Sequence, residues 1–266
     1  MKKPSAVYVY CVARCPRAPA LERAPRGLPG TGPARIVEVG RSLWLVVADA
    51  PLALYGQESI ERGLRDLDWV GKCAAGHERV VEHVALGCTA VPMKLFTLFG
   101  GDERAVAHVR KIRARIDRIA DRIEGCLEWG VRVTVDERRA RQIARQRTAP
   151  KRSRSGAGTS FLLSRKAEHD GVGEALRLAR RDVGRAFSDL ADRARASVQR
   201  PPVSREVAAR VLLDAVFLVP TRTARDFEAA VTRATASLSK SGCAVTLTGP
   251  WPPYHFVDLR GRRAAS

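Results

Sequence analysis

No stretch of this chain approaches the roughly 18 consecutive apolar residues that a membrane-crossing helix needs. The apolar segment Ala6–Ala13 behind the basic start is too short for such a span, and no secretory leader is read there. The chain is therefore expected to be cytoplasmic, with reduced thiols. No His-x-x-x-His or Cys-x-x-Cys spacing occurs, so the common zinc geometries are missing. Gly-x-Gly-x-x-Gly is absent, and the glycine-rich run Gly27-Leu28-Pro29-Gly30-Thr31-Gly32 is not followed by the Lys-Ser or Lys-Thr of a phosphate loop. No serine sits in a nucleophile elbow. No metal and no cofactor are expected. Of the cysteines at 11, 15, 73, 88, 126 and 243, only Cys11 and Cys15 lie close together, which suits small buried apolar residues better than a metal site.

What the chain does have is length, apolar content and positive charge. Its 266 residues are 45% apolar, enough for one large or two ordinary domains. Lys and Arg number 47 against 28 acids, a formal charge of +19. Such a surplus favours an anionic partner without naming it. Arg138–Arg154 carries eight basic residues and no acid, and Ser153–Ser160 adds Ser and Gly. This reads as a solvated linker. Its alternatives are a nucleic-acid arm that grips phosphates by charge, or a dock for an acidic protein surface. No aromatic residue interleaves with the charges, so a stacking platform for single strands is missing and nucleic acid is not the expected partner.

Periodicity predicts the elements. Val7–Val12 reads as a buried strand and Arg14–Pro33 as a loop with five prolines and three glycines. Arg35–Val39 and Leu43–Ala48 form a hairpin, Glu58–Leu86 is helical with a break near Gly71 or Gly76, and Cys88–Phe99 is a strand interrupted by Pro92. In Asp102–Trp129 the apolar positions Val109, Ile112, Ile116, Ile119, Ile123 and Cys126 recur at steps of three and four, predicting one long helix. Val131–Val135 alternates strictly, as a strand with one face inward does. The order predicts an α+β protein of two α/β domains. The first, residues 1–137, is a modified ferredoxin-like split βαβ fold with two helices on one sheet face. Residues 138–160 are the basic linker. Residues 161–266 form a smaller, related domain: helix Glu168–Ser197, a strand centred on Val211–Val219, helix Arg222–Ser239, strand Cys243–Thr248 and a Pro/aromatic closing segment.

Few residues offer chemistry. His77 and Glu82 are the best acid–base pair, but five residues along a helix they do not face one another squarely. Their structural alternative is a cap or a helix–sheet hydrogen bond. Lys94 points either to solvent or to Glu82. An enzyme would use this His77, Glu82 and Lys94 region. Asp214, inside an apolar strand, needs a partner, for which Arg165, Lys166 or Arg210 are candidates. The run Gly249-Pro250-Trp251-Pro252-Pro253-Tyr254-His255-Phe256-Val257 is stiffened by proline and rich in aromatic area. It serves either to pack the chain end onto a domain or as a rigid anchor for a partner.

At this run a resemblance becomes specific. Tyr8-Val9-Tyr10-Cys11-Val12, Trp69 with His77-Glu78-Arg79-Val80-Val81-Glu82, Pro92-Met93-Lys94-Leu95-Phe96-Thr97, Glu128-Trp129-Gly130-Val131-Arg132-Val133, Phe161–Lys166, Ala215–Val219 and Gly249–Phe256 occur in the order of the motifs of the gas vesicle family that groups GvpL with GvpF. Lys94 stands where those motifs carry arginine and Phe96 where they carry glycine, and a lysine cannot make the bidentate contacts of an arginine. The resemblance implies a non-catalytic accessory or minor structural protein of gas vesicle formation, located at the gas vesicle in the cytoplasm. It implies two α/β domains related to the ferredoxin-like fold. It implies as partners the small, very apolar shell protein and other accessory proteins. Trp251, Tyr254, Phe256 and Lys94 are then the expected partner-binding or structural anchors.

Overall fold

The computed structural model describes residues 4–136, 139, 142, 157–201 and 209–259, with side chains left out for 157–172 and 209. The chain divides into two compact α+β units, Met1–Cys126 with Trp251–Ser266, and Leu127–Pro250.

The first unit is built on β1 (Ser5–Arg14), β2 (Arg35–Gly40), β3 (Leu43–Pro51), β4 (Thr89–Pro92) and β5 (Leu98–Phe99). The sheet runs β2-β3-β1-β4, with β5 also on β1, and every pairing is antiparallel. Three helices of useful length accompany it: α3 (Leu67–Ala85), α4 (Asp102–Lys111) and α5 (Arg113–Ile123), after the short α1 (Leu52–Tyr55) and α2 (Gln57–Gly63). Tyr8, Tyr10, Cys11 and Ala13 of β1 pack in one cluster with Cys73, Val80, Val81 and Val84 of α3. Val7, Val9 and Val12 are equally buried but outside that cluster, as are Ala105 and Val109 of α4 and Ile116, Ile119 and Ile123 of α5. The sheet is thus covered on both faces rather than one. That explains why β1 is apolar almost without interruption: a strand with one wet face alternates, and a doubly covered one need not.

Three boundaries differ from the periodic reading. The helix starting at Leu67 is capped by Asp66, whose carboxylate accepts from the amides of Asp68 and Trp69, so the break precedes Gly71 and Gly76. The long helix breaks at Ile112, and Cys126 already lies on a strand. Gly76 sits inside α3 because the proline-rich loop crosses it there: a Cβ would stand 2.5 Å from the Gly27 carbonyl oxygen.

The second unit comprises β6 (Cys126–Asp136), α6 (Ala157–Ala191), β7 (Ala196–Gln199), β8 (Ala209–Pro220), α7 (Ala224–Ser239) and β9 (Cys243–Trp251). Its sheet order, β7-β8-β6-β9, is that of the split βαβ, ferredoxin-like arrangement. The pattern expected for the first half is therefore found in the second. Val131, Val133 and Val135 of β6 join Phe217, Phe227, Val183 and Leu190 in one core. That packing removes β6 from the first unit, where a 1–137 boundary had put it. The closing segment moves the other way. Phe256 is buried, and the carbonyls of Phe256 and Leu259 accept hydrogen bonds from Arg122 and Arg115 of α5. The Arg138–Arg154 linker and nucleic-acid-arm readings fall outside the described residues, apart from 139 and 142.

The thiols also differ from expectation. Cys11, Cys73, Cys126 and Cys243 are buried, but Cys15 and Cys88 form a disulfide. The register explains it: Arg14 pairs with Thr89, so the residues just beyond both strand ends face each other. No helix among the described residues is long and apolar enough to cross a membrane.

Candidate functional site

The site grows from an irregularity in β1. Register with β3 slips between Val9 and Cys11, making Tyr10 an extra residue. On the other side of β1 the chain from β4 to β5 detours at the same level. Met93 donates its amide to the Tyr10 carbonyl at 2.9 Å, and Val9 donates to the Thr97 carbonyl at 2.9 Å. Between these bonds Lys94, Leu95 and Phe96 are pushed out as a turn, closed by the Thr97 amide and hydroxyl on the Lys94 carbonyl at 3.1 and 2.7 Å. Lys94 is thus on an exposed turn and not within a strand. Phe96 takes φ 62°, the left-handed region that favours glycine, and its ring stacks on Trp69 with centroids 5.2 Å apart.

Under this turn lies a buried polar pair. Tyr8 of β1 and His77 of α3 meet through the phenol oxygen and Nδ1 at 2.6 Å. His77 is only 3% exposed. Burial pushes the Tyr8 phenol far up, helped by neighbouring Tyr10, so it keeps its proton. Burial also lowers His77 to about 4, with the Met93 backbone opposing, so the ring is neutral near pH 7. A protonated phenol donates to Nδ1, which places the ring's own proton on Nε2. That Nε2 is buried and meets no hydrogen-bond partner within normal geometry among the described residues.

His77 lines a pocket of about 330 Å³. Ala74 and Glu78 complete the α3 wall, Pro92, Met93, Lys94 and Leu95 form the turn wall, and Tyr254, Val257 and Leu259 close it from the end of the chain. Glu78 is raised above the usual carboxylate range by burial first and by Glu82 second. Among the described residues no three His, Cys, Asp or Glu side chains cluster as metal ligands would.

Of the expected anchors, Lys94 and Tyr254 come together at this pocket, 160 positions apart in sequence. Phe256 instead points into the core, and Trp251 remains 38% exposed at the end of β9. His77 and Lys94 share the pocket, but Glu82 does not line it. Asp214 belongs to the second unit. Its carboxylate takes Arg132 at 2.9 Å on one oxygen, and Nε of Arg200 at 2.9 Å together with an Arg200 terminal nitrogen on the other. These partners come from β6 and from just after β7, the strands flanking β8; of the candidates named from sequence, Arg165 and Lys166 have side chains outside the described residues, and Arg210 makes none of these bonds. Tyr8 and Glu78 were not singled out beforehand. The readable signal for them was Tyr8 and Tyr10 at alternate positions of a buried strand, and Glu78 one turn after Ala74.

Comparison with known proteins places these features in context. The family described as "Gas vesicle synthesis protein GvpL/GvpF" matches residues 6–258. Gas vesicle protein L of a Streptomyces species is 28% identical over 257 residues, covering 95% of this chain and 92% of the relative. Gas vesicle protein L2 of Halobacterium salinarum is 27% identical over 271 residues, covering 94% and 90%. The crystal structure of GvpF from Anabaena superposes with a TM-score of 0.68 at 15% identity, covering 98% of this chain and 100% of that one. GvpF from Microcystis aeruginosa gives 0.67 at 15% identity, covering 96% and 99%.

Proposed function

The chain belongs to the GvpL/GvpF family of gas vesicle synthesis proteins, and from that premise we propose that it acts in gas vesicle formation without catalysis, by binding the shell protein and other accessory proteins. The observation that carries this reading is the convergence of Lys94 and Tyr254 on one mostly apolar pocket. An apolar hollow with a few polar groups at its edge suits recognition of apolar protein surface. The ionisation states argue the same way. An acid–base catalyst needs a group titrating near the working pH. Here the phenol is held protonated and the imidazole neutral, and each serves the other as a hydrogen-bond partner. In this reading Trp251 and Tyr254 form the contact, Lys94 adds charge, and Phe256 holds the segment in place.

The test is the Trp251→Ala, Tyr254→Ala double variant, checked for folding by circular dichroism and used in a pull-down of the shell protein. Capture is expected to fall by about tenfold or more, as for loss of two aromatic anchors. Undiminished capture by a folded double variant overturns the reading.

A further inference from the structure

We propose that the Cys15–Cys88 disulfide is a reversible thiol–disulfide exchange site. A dithiol reductant opens it and a small disulfide closes it. Its state decides whether the first half of the proline-rich loop, residues 16–26, stays fastened to the first unit. The inference does not depend on the partner-binding reading. Three observations carry it.

The first is placement. The two cysteines stand just past the last β1–β4 pair, Arg14 with Thr89, and their Cα atoms are 5.1 Å apart. Of the six cysteines only Cys88 is partly exposed, and the other five are buried. Leu86, two residues before it, is 86% exposed. Cys88 is therefore the side that an incoming thiolate attacks. The reductant's thiolate bonds to Cys88 Sγ, the bond to Cys15 breaks, and Cys15 leaves as a thiolate that takes a proton from water. The reductant's second thiolate then attacks its own sulfur in the mixed disulfide and releases Cys88. The protein gains two electrons and two protons, and the dithiol becomes a disulfide.

The second is that the fold does not need the bond as a staple. Tyr8, Tyr10, Val9 and Val12 of β1 and Leu43 and Leu45 of β3 are fully buried, so the first unit has a core of its own. Structural disulfides belong to small secreted domains that lack one. The chain reads as cytoplasmic, where thiols are kept reduced and disulfides are usually transient or redox-sensing.

The third is that the loop is fastened unevenly. Its second half is held at several points. The Leu28 amide donates to the Tyr10 hydroxyl at 3.2 Å, the Tyr55 hydroxyl to the Pro29 carbonyl at 2.6 Å, and the Gly32 amide to the Asp49 carbonyl at 2.8 Å. Cys15 is tied by its amide to the Ser42 carbonyl and by its carbonyl to the Trp44 indole. Between these anchors, a single hydrogen bond joins residues 16–26 to another element among the described residues, from His83 Nε2 to the Ala20 carbonyl at 3.0 Å. Pro19 is buried and Leu21 packs partly against the core, while Arg17, Arg23 and Arg26 are exposed. The disulfide is the covalent tie from this half to the end of α3, and breaking it leaves the weakest-held part of the loop to open first.

The experiment uses the full chain, kept native and treated with either dithiothreitol or oxidised glutathione. Each sample is quenched in acid, unfolded and tagged with a maleimide, and the tags are counted by mass spectrometry. Native dithiothreitol is expected to raise the count from four to six, the new tags falling on Cys15 and Cys88, and oxidised glutathione to return it to four. A count that stays at four under native dithiothreitol means a sealed structural bond, and one that stays at six under oxidised glutathione means that no bond forms. Either overturns the proposal. Limited trypsin digestion reads the loop. Cleavage after Arg17 and Arg23 should run about tenfold faster in the reduced chain, since it follows the population of the open loop. Cleavage after the exposed Arg62 of α2 should not change. Cys88→Ser should cut at the reduced rate whatever the treatment. Equal cleavage of the oxidised and reduced chains after Arg17 and Arg23, or an equal rise after Arg62, overturns the assignment of the switch to this loop.

Discussion

Asp214 and His77 pose the same problem in the two units, a polar side chain inside an apolar core, and they solve it differently. Asp214 is 5% exposed and has both oxygens occupied, by Arg132 and Arg200. Burial pushes its carboxyl up, but the hydrogen bonds and charges of the two arginines outweigh this and hold it below the usual range. The backbone repeats the pairing, since the Arg200 amide donates to the Asp214 carbonyl at 2.7 Å. His77 has Nδ1 engaged by Tyr8, while its Nε2 is sealed inside the core with no partner in normal geometry among the described residues. A fully satisfied buried group has its role explained by the fold around it. A half-satisfied one keeps a desolvation cost that the packing around it has to carry.

The largest expected effect breaks the satisfied side. Replacing both Arg132 and Arg200 by Ala leaves the Asp214 carboxylate buried without a counter-charge, which is expected to cost about 3–5 kcal/mol. Asp214→Asn removes the charge itself and frees two arginines that already reach solvent. Its cost should be distinctly smaller, about 1–2 kcal/mol. Hydrogen exchange at the β8 amides reads both. Equal losses in the two variants would mean that the arginines act by packing alone.

Proton linkage sharpens the comparison. His77 falls from an unfolded value of 6.5 to about 4 when folded, so between those values the unfolded chain binds the extra proton. Stability of the first unit should therefore be fully present above pH 6.5 and drain away as pH falls toward 4, by up to about 3 kcal/mol. Asp214 has a folded value below its unfolded one. Its contribution persists above the ordinary carboxylate range and is lost only as pH falls below it, through the lower folded value. Hydrogen exchange across a pH series should show α3 loosening before β8. His77→Gln should flatten the first unit's slope between pH 6.5 and 4 and leave the second unit unchanged. A slope that survives His77→Gln would assign the effect to another group.

Much of this contrast could be read from the chain, but unevenly. Helices were legible where an apolar stripe faces one core, as in Phe227, Ala230, Val231 and Leu238 of α7. The strict alternation of Val131, Val133 and Val135 announced β6, yet alternation says that one face is buried and not against which sheet. The short β7, Ala196–Gln199, was absorbed into the helix before it because four residues carry no periodicity. Asp214 was visible as an anomaly in an apolar strand, while its partners were not, since they lie on flanking strands whose register only the fold sets. At the pocket, Lys94 and Tyr254 were legible through the motifs that contain them. Their meeting depends on the chain end returning to α5, which no local pattern encodes.

The smallest expected effect concerns the turn that walls the pocket. Phe96 occupies a left-handed conformation at φ 62°, where the family motif carries glycine. For an L-residue with a side chain that conformation costs roughly 1–2 kcal/mol. The stack on Trp69 returns roughly 0.5–1.5 kcal/mol beyond simple burial. Phe96→Gly gives up the stack and the strain together, and should change stability by less than about 1 kcal/mol in either direction. Phe96→Ala gives up the stack but keeps the strain, and should be less stable than the glycine variant by about 1 kcal/mol. Thermal melts of the three proteins decide it. If alanine and glycine prove equal, the turn has relaxed out of the left-handed region once the ring is gone. It is then the Phe96–Trp69 stack that imposes the shape of the Lys94 turn, and not the two hydrogen bonds that anchor it to β1.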